Sequence, residues 1–147
     1  MSKGPEANFW NTIRNNLPKD AFATRIENRS GGGIPDVHVL WLGLPFWIEI
    51  KVSKNDRINL SPHQIAWHMA YYARGGLSFF LVKAPAPRGI HLFSGSQGPA
   101  LLHNGLTEAP VARVESAREL FPALRPLLVG HYRAAALRLG GDQSHDA

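Results

Sequence analysis

Cysteine is missing from all 147 residues of this chain. That excludes disulfide bonds and any thiolate-held zinc and fits a reducing compartment; a bound metal must rely on oxygen or imidazole. Long apolar runs are missing too. None approaches the roughly 20 residues that cross a bilayer, and the stretch Met1-Ser2-Lys3-Gly4-Pro5-Glu6 lacks the apolar segment of a secretory signal. We therefore expect a cytoplasmic protein. Acidic residues are scarce beside basic ones, 11 against 16, for a net charge of +5 and an isoelectric point near 10.0. This surplus suits a polyanionic partner such as nucleic acid, because each lysine or arginine set on a phosphate releases condensed counterions.

What is present is the material of one domain. A hydrophobic fraction of 44% is ordinary for a globular core. We expect residues 1–139 to form a single domain, with a core over about 5–94, a helical addition over about 111–139 and a disordered tail over 140–147. Phe9, Trp10, Ile13 and Leu17 recur at helical spacing between Pro5 and Pro18, which predicts a helix with Glu6 in its first turn, near the buried face. Residues 21–28 alternate as a strand. Ser61-Pro62-His63-Gln64 has the form of a capping box opening a helix to about Arg74, with Ile65, Met69 and Tyr72 among its apolar positions. His63 and His68 on it are five apart and share no face for a metal. Residues 77–83 and 89–93 read as strands. The stretch 94–108 has loop composition and no firm structure, and Pro122 and Pro126 predict two helices or a kinked one within 111–139.

The informative stretch is 36–52. Val37, Val39 and Trp41 form one apolar stripe and Phe46, Ile48 and Ile50 another, as the two strands of a hairpin. Pairing 41 with 46, 39 with 48 and 37 with 50 puts both stripes on one side of a sheet, since a one-residue slip would send one to the wrong face. Glu49 and Lys51 then share a face, and Asp36 stands opposite Lys51. The three gather at the open end of the hairpin, with Gly43, Leu44 and Pro45 at the closed end. Two carboxylates and one amine at this spacing can assemble a magnesium-dependent phosphodiesterase site. The plainer reading makes Asp36 a turn cap after Pro35 and the other two solvated charges, but so apolar a strand gains nothing from charges in its middle. Ser30-Gly31-Gly32-Gly33, just upstream, is a flexible loop whose backbone amides can approach a ligand. His38, on the strand face beside Glu49, is either a neighbour of the site or a packed histidine, and Trp10, Trp41, Trp47 and Trp67 read as core residues.

Helix, strand, hairpin, helix and strand in this order, with Pro35-Asp36 heading the hairpin and Glu49-Ile50-Lys51 on its second strand, resemble the PD-(D/E)xK nuclease superfamily. Within it the chain is most similar to Holliday-junction resolvases and VRR-NUC nuclease domains. The matching positions are Glu6, Ser30-Gly31-Gly32, Pro35-Asp36, Glu49-Ile50-Lys51, Leu60-Ser61-Pro62 with Gln64, and Leu81-Val82-Lys83. Nothing after about Phe93 matches. The resemblance implies an α/β restriction-endonuclease-like core, a mixed sheet with a central hairpin flanked by helices, carrying C-terminal helices. It also implies Mg²⁺, with Mn²⁺ able to substitute, held by Asp36, Glu49 and the Ile50 carbonyl, and Lys51 positioning or deprotonating the attacking water. Glu6 either reaches the metal, directly or through water, or is an ordinary first-turn acid. Gln64 either neighbours the catalytic lysine or only caps its helix.

Candidate phosphate contacts are Lys54, Arg57 and Lys83, with Ser30, Gly31 and Gly32. The implied activity is metal-dependent endonucleolytic cleavage of DNA, structure-selective, as in branched-DNA resolution or nicking in phage-type replication and repair. A resolvase is expected to work as a homodimer and a nickase as a monomer. A noncatalytic nucleic-acid-binding scaffold and an RNA-directed phosphodiesterase are the alternatives.

Overall fold

A computed structural model describes residues 4–26 and 32–144. Six strands form one mixed sheet in chain order: β1 (Phe22–Arg25), β2 (Val37–Trp41), β3 (Leu44–Val52), β4 (Ser78–Pro85), β5 (Arg88–Ser94) and β6 (Ala112–Val114). Neighbours pair antiparallel except β3 and β4, which run parallel. A parallel pair needs a long crossover, and α2 (Pro62–Ala73) lies within it. One sheet face buries Val37, Val39, Ile48, Ile50 and Leu81 beneath Phe9, Trp10 and Ile13 of α1 (Pro5–Arg14) and Leu120, Phe121, Leu124 and Leu128 of α4 (Leu120–Ser144). On the other face Phe80, Val82 and Phe93 pack with Leu101 of α3 (Gly98–Asn104) and Ile65 of α2. No helix among the described residues is long and apolar enough to cross a membrane.

The hairpin forms with both stripes buried on one side, but its register differs from expectation by two residues. Trp41 pairs with Leu44, Val39 with Phe46 and Val37 with Ile48. The reason is the turn. Leu42 (φ 58°) and Gly43 (φ 72°) are both left-handed, which permits a two-residue hairpin turn whose twist matches the strands. Pro45 is thereby drawn into β3, opposite Leu40, in a pair that does not exchange backbone hydrogen bonds and so does not need its missing N–H. A shift by two preserves which side chains share a face but moves Asp36 level with Glu49 instead of Lys51.

Several elements depart from the sequence reading. The first helix ends at Arg14, and the backbone tightens into turns, Asn16 N–H donating to Ile13 and Leu17 N–H to Arg14. On α2, Met69 and Tyr72 are 39% and 42% exposed while His68 is fully buried, because the helix turns Gln64 and His68, four residues apart, toward the sheet. Where loop composition suggested no structure, α3 forms between two 3-10 turns at Gly95–Gln97 and Gly105–Thr107. In place of two helices or a kinked one after 111, β6 adds to the sheet edge and α4 runs as one 25-residue helix. Pro122 falls in its first turn, where no N–H partner is needed. Pro126 lies inside it, and its cost of about 3 kcal/mol is outweighed by burying Phe121, Leu124 and Leu128, each contributing about 1.5–3 kcal/mol. The same helix extends to Ser144, into the stretch expected to be a disordered tail.

Candidate active site

Strand β3 lies between β2 and β4 and is covered on both faces, so its polar side chains are held in place by packing. Glu49 is only 2% exposed, which rules out the solvated-charge reading for it. Gln64 ties the cluster together. Its Oε1 accepts from Lys51 Nζ at 3.1 Å and from the Ser61 N–H at 3.0 Å, while its Nε2 donates to Glu49 Oε2 at 3.4 Å. Ser61 Oγ in turn accepts from the Gln64 N–H at 3.1 Å, completing the capping box. The two roles read for Gln64 are therefore one: the residue that completes the capping box of α2 also bridges the lysine and the carboxylate. Asp36 Oδ2 accepts from the Ile50 N–H at 2.8 Å, and its backbone carbonyl accepts from Ile26 at 2.7 Å. This fixes the aspartate at the mouth of the hairpin.

Burial pushes the Glu49 carboxyl up to about 10, helped by a hydrogen bond to Asp36 and by the Asp36 charge, against the opposing pull of Lys51. A site that crowds two carboxylates out of water in this way favours a proton or a cation between them. Glu6 lies at an exposed position on α1, not on its buried face, yet it belongs to the same electrostatic neighbourhood. Partial desolvation raises it, Lys51 lowers it, Asp36 raises it and Arg25 lowers it. Behind Glu49 sits His68, whose Nε2 is 3.9 Å from Glu49 Oε1 and whose Nδ1 is 2.7 Å from Ser78 Oγ. Burial, then the charge of Lys51, pulls His68 down to about 4.

The structure thus brings together Asp36, Glu49, Lys51 and Gln64, with Glu6 at the margin. Lys54 and Arg57 are exposed on the loop that follows β3. That loop is held by Ser53, whose hydroxyl contacts the Asn55 and Arg57 carbonyls, and by the Leu106 N–H donating to the Asp56 carbonyl at 2.8 Å. Lys83 is exposed but pairs with Val52, one residue out of phase with Lys51, so it belongs to the opposite face of the sheet. Ser30 and Gly31 lie outside the described residues; Gly32 is exposed. His38 packs edge-on against Trp47 at 4.8 Å, and Trp47 against Trp67 at 5.5 Å; both tryptophans are only half-buried.

Two contributors escaped the sequence reading. Gly33 has φ 76°, and a Cβ there would fall 2.2 Å from the His63 carbonyl oxygen, so the loop leading to Asp36 leans on the first turn of α2 through a residue that must be glycine. His68 shares no face with His63, five residues away, and lies on the face of Gln64 instead. Its spacing of four from Gln64 was the available signal.

Among the described residues no three acidic or histidine side chains converge into a ready metal cage. Mg²⁺ does not require one, since it binds through one or two carboxylates and keeps several waters. Asp36 and Glu49 are such a pair, two carboxyls close enough to interact directly, and their oxygens are the hard donors that Mg²⁺ prefers. The donor set fits a small divalent cation.

No family model matches the chain, and no curated protein shows significant similarity to it. Among solved structures it is similar to Hjc of Archaeoglobus fulgidus, a Holliday junction resolvase from an archaeal hyperthermophile, with 17% identity and a TM-score of 0.46 over 60% of this chain and 72% of the resolvase. It is also similar to a VRR_NUC domain, with 19% identity and a TM-score of 0.45 over 67% of this chain and 94% of that one. Helix, hairpin, crossover helix and parallel strand follow one another in the α/β order expected from the motifs.

Proposed function

We propose that the protein is a metal-dependent endonuclease that hydrolyses DNA phosphodiester bonds at branched or otherwise structured sites. The single observation that carries this reading is the network in which Gln64 joins Lys51 to Glu49 while Asp36 is pinned beside them on the Ile50 N–H. A binding scaffold has no need to bury an acid at Glu49's position. Asp36 and Glu49, with the Ile50 carbonyl, would hold Mg²⁺, and Glu6 would reach it directly or through water. The bound cation supplies Lewis-acid polarisation of the phosphate and a lowered pKa for water. Lys51, oriented by Gln64, stands where it orients the attacking water and offsets charge accumulating on the phosphate oxygens. Lys54 and Arg57 hold flanking phosphates, which contributes affinity and register without sequence reading. The chain acts as a homodimer if it cuts paired strands of a junction.

The test is binding and cleavage of labelled RNA and of single-stranded, duplex, flap and four-way-junction DNA, with Mg²⁺, Mn²⁺ or EDTA, by wild type, Asp36→Asn and Lys51→Ala. Cleavage by wild type only, abolished by EDTA, is the expected result. If no DNA is cut while binding persists, the scaffold reading replaces this one; cleavage confined to RNA transfers the chemistry to the other polymer.

A further inference from the structure

We propose that His68, fixed by Ser78, is a positioning residue that orients the Glu49 carboxylate and so sets the affinity of the site for its divalent cation. This rests on the nuclease reading above. The imidazole is fully buried and constrained on every side. Its ring lies over Phe80 at 4.1 Å and edge-on to Trp67 at 5.6 Å. Gly95 closes the remaining side so tightly that a Cβ there would come within 2.1 Å of Ser78 Oγ and 3.1 Å of His68 Nδ1. Nδ1 is 2.7 Å from Ser78 Oγ, and the tautomer in which that hydroxyl donates puts the ring proton on Nε2, which faces Glu49 Oε1. Both of those atoms are buried and neither has another partner.

Two polar atoms that face each other in an apolar pocket and are left unpartnered cost free energy. The arrangement makes sense if Nε2–H is a donor for the carboxylate. At 3.9 Å the contact is longer than a hydrogen bond, and a small rotation of the carboxyl closes it, as catalytic contacts tighten when a site is loaded. Glu49 is then held from two directions, by Nε2 on Oε1 and by the Gln64 amide on Oε2. Outer partners of metal ligands fix ligand orientation in this way, and their loss typically lowers metal affinity about 10- to 100-fold.

The experiment is Mg²⁺ titration by calorimetry, without DNA, on wild type, His68→Phe, His68→Gln and Ser78→Ala, with unfolding curves and cleavage measured on the same samples. His68→Phe, which leaves Ser78 Oγ without its partner, should still unfold cooperatively yet bind Mg²⁺ about 10-fold more weakly or worse. His68→Gln, which restores an N–H donor, should recover part of the affinity, and Ser78→Ala should lose less than His68→Phe. A merely structural histidine leaves the Mg²⁺ affinity unchanged whatever happens to stability, and that result overturns the proposal. If His68→Phe does not fold, Ser78→Ala decides, and unchanged affinity there overturns it equally. A wild type that neither binds Mg²⁺ nor cleaves refutes the nuclease reading itself. A wild type that does both, with the variants unaltered, refutes only the role of His68.

Discussion

Glu49→Gln replaces one oxygen by nitrogen in the most enclosed carboxyl of the site, and its consequence for stability can be worked from the burial of that group. Desolvation, reinforced by Asp36, pushes Glu49 from the ordinary 4.5 up to about 10. A carboxyl raised on folding binds more protons in the native than in the unfolded state between those two values, so wild-type stability falls as pH rises through that window. One proton corresponds to about 1.4 kcal/mol per pH unit, so between about pH 5 and about pH 8 the wild type should lose about 4 kcal/mol relative to the variant. His68 works in the opposite sense. Burial depresses it from 6.5 to about 4, and its contribution is complete above about 6.5 and lost as pH falls toward about 4. Well above pH 6.5 His68 is neutral in both the folded and the unfolded chain, so that part of the range carries no contribution from it. Urea unfolding of both proteins in EDTA across this range measures the slope, and a repeat with Mg²⁺ should flatten the wild-type curve alone, since the cation takes the place of the proton. Parallel stability curves for the two proteins in EDTA would refute the reasoning, showing that Glu49 is not held in a medium that penalises its charge.

Three other perturbations probe how the site is held. Gly33→Ala forces a left-handed alanine, costing about 1–2 kcal/mol, and drives its methyl into the His63 carbonyl; we expect a lower melting temperature and a larger loss of cleavage than that destabilisation explains, and an unchanged melting temperature would mean that the loop does not lean on α2. Leu128→Ala removes a fully buried side chain of α4 and should cost about 2–5 kcal/mol by urea denaturation. A cost well under about 1 kcal/mol would make α4 an appendage and not part of the core. Lys54→Ala with Arg57→Ala should lower the slope of log affinity against log salt by about 0.9 per lost phosphate contact, equally for all DNA shapes. A change for one shape only would assign these residues to structure selection.

Much of the site was legible in the residues. Alternation along β3 places Glu49 and Lys51 on one side and Ile48 and Ile50 on the other, and the capping box at Ser61 and Gln64 was readable in four letters because its hydrogen bonds close within three residues. The hairpin was legible in face and not in register: the stripes demand only that parity be kept, and the pairing then depends on whether Leu42 accepts a left-handed backbone. The C-terminal third was the least legible. Pro126 looks like a helix breaker in sequence, and only the packing of Phe121, Leu124 and Leu128 on the sheet overrides it.

The sequence by itself determined that Asp36, Glu49 and Lys51 could gather at one end of a hairpin, because strand periodicity is a property of neighbouring residues and needs no third element. Tertiary structure alone decided that Asp36 stands level with Glu49, that α2 buries Glu49 and joins it to Lys51 through Gln64, that His68 and Ser78 lie behind it and that Lys83 turns to the other face. Those outcomes depend on which helix covers which side of the sheet, and burial, the cause of the shift at Glu49, exists only once distant segments have excluded water from between them.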